Sequence, residues 1–206
     1  MNKSILISIR PEWVVKILNG EKTIEIRKTA PKCDLPIDVY IYCTKSGKTL
    51  YKDYFFELTG ERAFLDDYDP FLENDEQVLN GKVVAKFTLR EVTQYINGCN
   101  VSKDSGYMFG DVEREGVYEK SCLSENDIDV YCPDESFYAW HISDLVVFDE
   151  PKELSYFYKV GAFEEYRRLL ADKELDMSET AAGIYVKSNY QITKAPQSWM
   201  YVEEMK

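Results

Sequence analysis

A lysine, a glutamate and an arginine occur close together in the segment GEKTIEIR, as Lys22, Glu25 and Arg27. Residues 23–28 alternate between polar and apolar types, which is the period of a half-buried strand and places Glu25 and Arg27 on one face. Lys22 and Arg27 can then donate hydrogen bonds to an anion or a carbonyl group, while Glu25 accepts from a base or orients the lysine. The alternative interpretation is an exposed strand face with ordinary ion pairs.

The elements that must position this segment come directly before it. Residues 4–9 predict a short strand, and Pro11 is a favoured residue for the first position of a helix. The apolar residues that follow recur at helical spacing: Trp13, Val14, Ile17 and Leu18. The pair Asn19-Gly20 is typical of a helix end. A strand, a helix and a second strand are therefore expected before residue 29.

Three later segments predict strands. Residues 38–44 are largely apolar on both faces, as in a strand that is buried on two sides. Residues 82–90 alternate again, and residues 137–148 predict a long strand that Pro151 ends. Short strands with an early helix favour a small mixed barrel or a curved sheet over a βαβ sandwich.

The rest of the chain is predicted as an insertion, a loop, two helices and extended segments. In this order they cover 45–81, 97–120, 123–131 with Ser124 as the N-cap candidate, 162–171, and Gly183 onward. The insertion contains an acidic run, 61–76, that lacks the spacing of a calcium loop and favours a solvated loop.

The charge is negative and unevenly distributed. The chain has 25 basic and 37 acidic residues, which gives a net charge of −12. Residues 1–50 hold nine basic and five acidic residues, a balance of +4, so the remainder carries −16. This distribution argues against tracking of a long phosphate backbone by bulk charge. It predicts that an anionic ligand binds among the first fifty residues.

The cysteines and the histidine do not form a recognisable metal or disulfide motif. Five cysteines without a C-x-x-C pair and a single histidine, His141, predict neither a disulfide framework nor a zinc site. We interpret His141 as structural, and no cofactor or metal ion is expected. The apolar segment before Arg10 is too short for a signal peptide, and no apolar run approaches the ~18 residues of a membrane span. A reduced, cytoplasmic protein without a membrane partner is predicted.

The segment around Lys22 resembles the hallmark of the ASCH domain, a member of the PUA-like superfamily. That hallmark is G-x-K-x-x-E-x-R just after the first helix, and Gly20, Lys22, Glu25 and Arg27 match its four fixed positions. The order of strand, Trp-bearing helix, motif strand and buried strand is also similar. The resemblance covers roughly residues 4–148.

The resemblance implies an α+β fold, a PUA-like small mixed β-barrel with a helix after the first strand and peripheral helices. The barrel domain is expected to span residues 1–148, with 45–81 as an insertion. Residues 149–206 are then a C-terminal extension that packs on the barrel.

The resemblance also implies a cleft under the first helix that binds RNA, a nucleotide or a nucleoside. Recognition of a base needs an aromatic cage beside a few polar contacts. The expected ligand-binding residues are Lys22, Glu25, Arg27, Trp13, Tyr42 and Trp140. Tyr138 is a further aromatic residue near the predicted barrel elements.

A hydrolase in the same cleft is the alternative, with Lys22 and Glu25 as a catalytic acid and base pair. One branch of the family acts on N-acylated cytidines and has a threonine where this chain has Glu25, so the expected hydroxyl nucleophile is missing. Thr23 on the same face lies ~7 Å away and would need a different ligand pose. Another branch has been proposed to cleave RNA. A third hypothesis is a regulatory protein whose acidic, aromatic surface binds a protein partner and whose cleft senses a metabolite, and the sequence leaves that partner and the oligomeric state open.

Overall fold

One large sheet positions the segment of interest. The computed structural model describes residues 3–46, 49–52, 64–65, 78–96, 99–102, 108–109, 112–133 and 136–204. The strands are β1 Ser4–Ile9, β2 Ile24–Arg27, β3 Ile37–Cys43, β4 Tyr51–Lys52, β5 Phe64–Leu65, β6 Val83–Ile96, β7 Cys99–Ser102, β8 Met108–Phe109, β9 Ser136–Lys152, β10 Phe157–Lys159 and β11 Trp199–Glu204. The helices are α1 Pro11–Leu18, α2 Val112–Ser121, α3 Glu125–Tyr131, α4 Ala162–Ala171 and α5 Glu179–Tyr190, with a 3₁₀ turn at Leu154–Tyr156.

Local sequence accounts for the first three elements. Every residue of β1 is buried, and Pro11 begins α1 where its missing N–H needs no acceptor. The helix ends at Leu18, and Gly20 follows with φ of +76°, a conformation that glycine adopts without strain. The predicted strand, helix and motif strand are therefore confirmed.

The strands follow the order β10-β11-β1-β3-β6. Strand β6 pairs with β3 and β7 on one side and with β9 on the other, and β9 in turn pairs with β2. The β1–β3 pair is parallel, and the other named pairs are antiparallel. This is a mixed α+β architecture, as expected. The pairings among the described strands leave the sheet open, so closure into a barrel stays a prediction.

The two faces of β3 explain how the core divides. Val39, Ile41 and Cys43 point toward α1 and belong to the largest hydrophobic cluster. Tyr40 and Tyr42 point to the opposite face, where they pack with residues of the C-terminal part such as Phe157 in β10. The strand is buried on both sides, as its sequence predicted.

The prediction of a loop over 97–120 was wrong. Within this range the structure has β7, β8 and most of α2. Val117 of α2 is buried against Ile24 and Ile26 of β2, so packing on the sheet stabilises a helix whose own apolar pattern is weak. The short helix at 123–131 is confirmed, since Ser124 caps α3 and accepts a hydrogen bond from the Asp127 N–H.

The prediction of extended chain from Gly183 onward was also wrong. Helix α5 runs through that glycine to Tyr190, and Ser178 caps its beginning. Ala182 and Val186 of α5 lie one turn apart and are buried against α4. Helix α4 spans Ala162–Ala171, so the helix predicted at 162–171 is confirmed. Extended structure begins only beyond α5.

Most of the predicted insertion, 45–81, lies outside the described residues, including nearly all of its acidic run. Its described parts reach the core, because Leu50 and Leu79 are buried in the cluster under α1. Strands β4 and β5 pair with each other. No helix in the described part of the chain is long and apolar enough to cross a membrane.

Candidate functional site

Lys22, Glu25 and Arg27 form a buried ionic cluster, which we call the triad. Their exposed fractions are 2%, 7% and 6%. The Lys22 Nζ atom lies 3.3 Å from Glu25 Oε2, and the Arg27 Nη2 atom lies 3.0 Å from Glu25 Oε1. Both carboxylate oxygens therefore face a cation, and the interpretation as exposed ion pairs is wrong. Burying three ions requires compensating contacts, and the surrounding elements supply them.

Helix α2 supplies the contact that holds Lys22. The lysine Nζ donates a 2.7 Å hydrogen bond to the carbonyl of Ser121, the last residue of α2. A carbonyl at a helix C-terminus carries partial negative charge and suits an ammonium group. The turn after α1 fixes the lysine backbone, because its N–H donates to the Lys16 carbonyl at 3.0 Å. Trp13 of α1 lies alongside, with its ring centre 5.6 Å from Nζ.

Two chain segments distant in sequence hold Arg27. Its Nη2 atom donates a 2.6 Å hydrogen bond to the Ser8 carbonyl of β1, and Nη1 donates to the Ser198 hydroxyl at 3.3 Å. The buried Nε atom has no hydrogen-bond acceptor among the described residues. The guanidinium therefore joins β2 to β1 and to the chain just before β11.

The triad forms part of the wall of a cavity of about 740 Å³. Its charged lining comprises four basic and two acidic residues: Arg10, Lys22, Arg27, Lys28, Glu25 and Asp127. The four basic residues of the lining all belong to the first fifty residues, where the charge distribution predicts that an anionic ligand binds, and that binding stays a prediction. Ser8, Thr44 and Ser46 add hydroxyl groups to the wall. A cavity with this lining suits an anionic ligand that also offers neutral polar groups.

Two aromatic residues line the cavity, Trp13 from α1 and Tyr131 from α3. The Lys28 Nζ atom lies 5.1 Å from the centre of the Tyr131 ring. Burial raises the pKa of the Tyr131 hydroxyl, although the charge of Arg27 acts in the opposite direction. Each ring thus lies beside a lysine ammonium.

Four of the six expected ligand-binding residues share this cavity: Lys22, Glu25, Arg27 and Trp13. Tyr42 does not, because it lies on the face of β3 that packs against the C-terminal part of the chain. Trp140 is the cross-strand neighbour of Glu25, but its side chain is 0% exposed and packs against Trp199 at 5.5 Å. The structure places both residues in the core instead of the cavity.

Sequence reasoning missed several residues of the cavity wall and two residues that hold the triad from outside the lining. Arg10, Lys28 and Tyr131 lie at the ends of predicted elements, and that position was the available signal. Ser121 and Ser198 carried no signal, since each reaches the triad through pairing of segments about a hundred or more positions apart.

His141 lies outside the cavity lining. Its Nε2 atom is 2.9 Å from the Thr93 hydroxyl on β6. Burial lowers the pKa of His141, the charge of Glu91 raises it and the charge of Lys120 lowers it. Among the described residues, no group of three His, Cys, Asp or Glu side chains is arranged to hold a metal ion.

The model of the ASCH domain family matches residues 7–152, which is well over half of the chain. The chain belongs to the ASCH family. The match includes the whole G-x-K-x-x-E-x-R segment, and it ends at the last residue of β9. The ASCH domain thus supplies the triad, whereas Ser198 lies beyond the matched region.

Solved ASCH structures resemble this ASCH protein over nearly its whole length. A crystal structure of ASCH from Zymomonas mobilis has 16% sequence identity and a TM-score of 0.49, and the similarity covers 97% of this chain and 87% of that one. A point mutant of the Zymomonas mobilis protein has 17% identity and a TM-score of 0.48, with 98% and 91% covered. No curated protein matches this sequence.

Proposed function

We propose that this ASCH domain binds a nucleotide, a nucleoside or an unpaired RNA base in the triad cavity. The observation that carries the proposal is a buried ionic cluster that opens onto a basic cavity with two aromatic residues in its wall. Cations suit a phosphate group, and aromatic rings offer a stacking surface to a base. The ASCH family is associated with nucleic-acid binding in general, which agrees with this chemistry.

The size of the cavity supports a ligand of one nucleotide more than a long strand. Its volume of about 740 Å³ lies within the range of ~300–1,000 Å³ that small-molecule sites occupy. Beyond residue 50 the chain carries a charge of −16, which repels an extended polyanion outside the cavity. We therefore expect one nucleotide, free or at an unpaired position of RNA, to enter the site.

The contacts of Glu25 favour binding over catalysis. Each carboxylate oxygen already lies within 3.3 Å of a cation, and the Lys22 ammonium also donates to the Ser121 carbonyl. A general base must accept a proton from the ligand, which here requires breaking one of these contacts. The triad is better suited to hold donors in fixed positions.

The test measures binding of adenosine, cytidine, guanosine and uridine 5′-monophosphates and of a labelled six-nucleotide single-stranded RNA. Lys28 is exposed and lines the cavity, so Lys28→Ala removes a cation without opening the core. We expect wild-type binding to weaken several-fold in this variant, with an unchanged melting temperature. Lys187→Ala, an exposed lysine on α5, is the matched control and should bind like wild type. Absence of binding by wild type would refute the proposal.

A hydrolase in the same cavity is the second candidate, favoured by the 3.3 Å separation of Lys22 Nζ and Glu25 Oε2 at the cavity wall. The test incubates the protein with single-stranded RNA and with N-acylated cytidine and follows product formation by chromatography. In this case Glu25→Gln should abolish turnover in protein that a melting curve shows to be folded. Turnover that is equal in wild type and variant would remove Glu25 from the chemistry.

A further inference from the structure

The segment 196–198, just before β11, borders the cavity and is hydrogen-bonded to β1. The Ser8 N–H donates a 2.9 Å hydrogen bond to the Ser198 carbonyl, and the Ser8 hydroxyl donates to the Pro196 carbonyl at 2.7 Å. Pro196 and Gln197 both line the cavity. One serine of β1 thus fixes the backbone on both sides of Gln197.

Side chains next to this segment hold it further. Arg27 donates to the Ser198 hydroxyl, and the Trp199 Nε1 atom donates a 3.0 Å hydrogen bond to the Thr29 hydroxyl. The Trp199 ring packs against Trp140 at 5.5 Å. The backbone position of residue 197 in the cavity wall is therefore set by contacts on both sides, whereas its side chain is left for a ligand to fix.

Gln197 differs from its neighbours because its side chain is free to meet a ligand. The residue is exposed, and its amide makes no hydrogen bond within the part of the chain that the structure describes. An amide offers a donor beside an acceptor, which matches the edge of a nucleobase. The cationic groups of the wall only donate hydrogen bonds, so they cannot recognise a base edge that carries a donor beside an acceptor.

We propose that Gln197 is a specificity-determining residue that reads the polar edge of the bound base. The proposal rests on the proposed function of the cavity and adds the source of its base preference. Residue 197 lies beyond the matched region 7–152, so the shared motif supplies the charged wall and the later segment supplies the selection among bases.

The experiment measures the affinity of the full chain for the four nucleoside 5′-monophosphates and for ribose 5-phosphate, which lacks a base. In Gln197→Ala the affinity for the preferred nucleotide should fall about tenfold, within the range of discrimination by a bidentate amide–base pair. The affinity for ribose 5-phosphate should stay unchanged. Gln191→Ala, outside the cavity lining, is the control for binding and removes only a distant hydrogen bond to the Ser155 carbonyl, whereas Asn126→Ala removes the other amide of the wall.

The outcomes separate the two proposals. Loss of base preference in Gln197→Ala alone supports the inference. Three results overturn the assignment of Gln197 but leave the cavity as a nucleotide site. The base preference survives in Gln197→Ala, it is lost only in Asn126→Ala, or wild type shows no base preference. A wild-type chain that binds neither the nucleotides nor ribose 5-phosphate overturns both. A melting temperature equal to that of wild type shows that Gln197→Ala acts on recognition, since the exposed amide supports no other contact.

Discussion

The chain builds two ionic clusters with a similar plan in opposite environments. In the triad, Glu25 lies between the cations of Lys22 and Arg27, and all three side chains are buried. On α4 one cation lies between two carboxylates, since Arg168 is 2.8 Å from Glu165 and 3.8 Å from Asp172. Arg168 is 56% exposed.

The difference in burial indicates that the charges of the triad, unlike those on α4, do more than keep the surface soluble. The α4 cluster has helical spacing around an exposed arginine, although Glu165 is only 17% exposed, and such surface networks contribute little to stability. The triad desolvates three ions, and its geometry is maintained by carbonyl groups from β1 and α2. Removing any one side chain of the triad is therefore expected to reduce the stability of the fold strongly.

The largest effect is expected from Glu25→Ala, which removes the centre of the triad. Two buried cations then lose their counter-ion, and deletion of one partner of a buried ion pair costs about 3–5 kcal/mol. Urea denaturation should show the free energy of unfolding falling by this amount. A loss below about 1 kcal/mol would place the triad with exposed clusters and break the comparison.

Ser198→Ala should have an intermediate effect. The variant removes the acceptor that the Arg27 Nη1 atom meets at 3.3 Å and should cost about 1 kcal/mol in the same measurement. Ser188→Ala, an exposed serine on α5, is the control. Equal stability of both variants would show that the triad does not depend on the segment before β11.

His141 provides a third environment, a half-buried group that is held neutral. Its pKa in the folded protein is lowered mainly by burial, so its contribution to stability is present above the ordinary value of 6.5 and is lost as the pH falls through the folded pKa. We expect wild type to lose more stability between pH 7.5 and pH 5 than His141→Gln does, as measured by urea midpoints. Parallel losses would show that other groups dominate acid sensitivity.

The smallest effect is expected from Arg168→Ala, which removes the exposed arginine at the centre of the α4 cluster. Because solvent screens these charges, the urea midpoint should not change measurably. The urea midpoints of wild type and Arg168→Ala should agree at both low and high salt. A loss of stability that depends on salt would show that the ion pairs of Arg168 stabilise α4 measurably.

The sequence was sufficient for elements whose own residues specify them. Pro11 and Gly20 delimit α1, the alternation around Glu25 identifies β2, and Ser124 identifies α3. The types and spacing of Lys22 and Arg27 also indicated their shared environment, although burial of the cluster could not be inferred from alternation.

The failures have two physical causes. Helix α2 is stabilised by tertiary packing of Val117 on β2, which local pattern does not reveal. Helix α5 tolerates Gly183 because Ala182 and Val186 anchor it to α4, and Ser178 was an N-cap signal that could have identified it. Likewise, aromatic type could not separate Trp13 in the cavity wall from Trp140 in the core, because Trp140 is buried by residues distant in sequence such as Trp199.

The pairing of β1 with β11 affects how the chain can be divided. Strand β1 lies between β3 and β11, and its residues Ile5, Leu6 and Ile7 are fully buried. A fragment cut after residue 152 would retain the family-matched region and the triad, yet it would lack β11. The free edge of β1 would then expose a row of unpaired backbone groups on an apolar strand, which is a template for aggregation. We therefore expect a chain that ends at residue 152 to aggregate more readily than one that retains β11, as measured by light scattering.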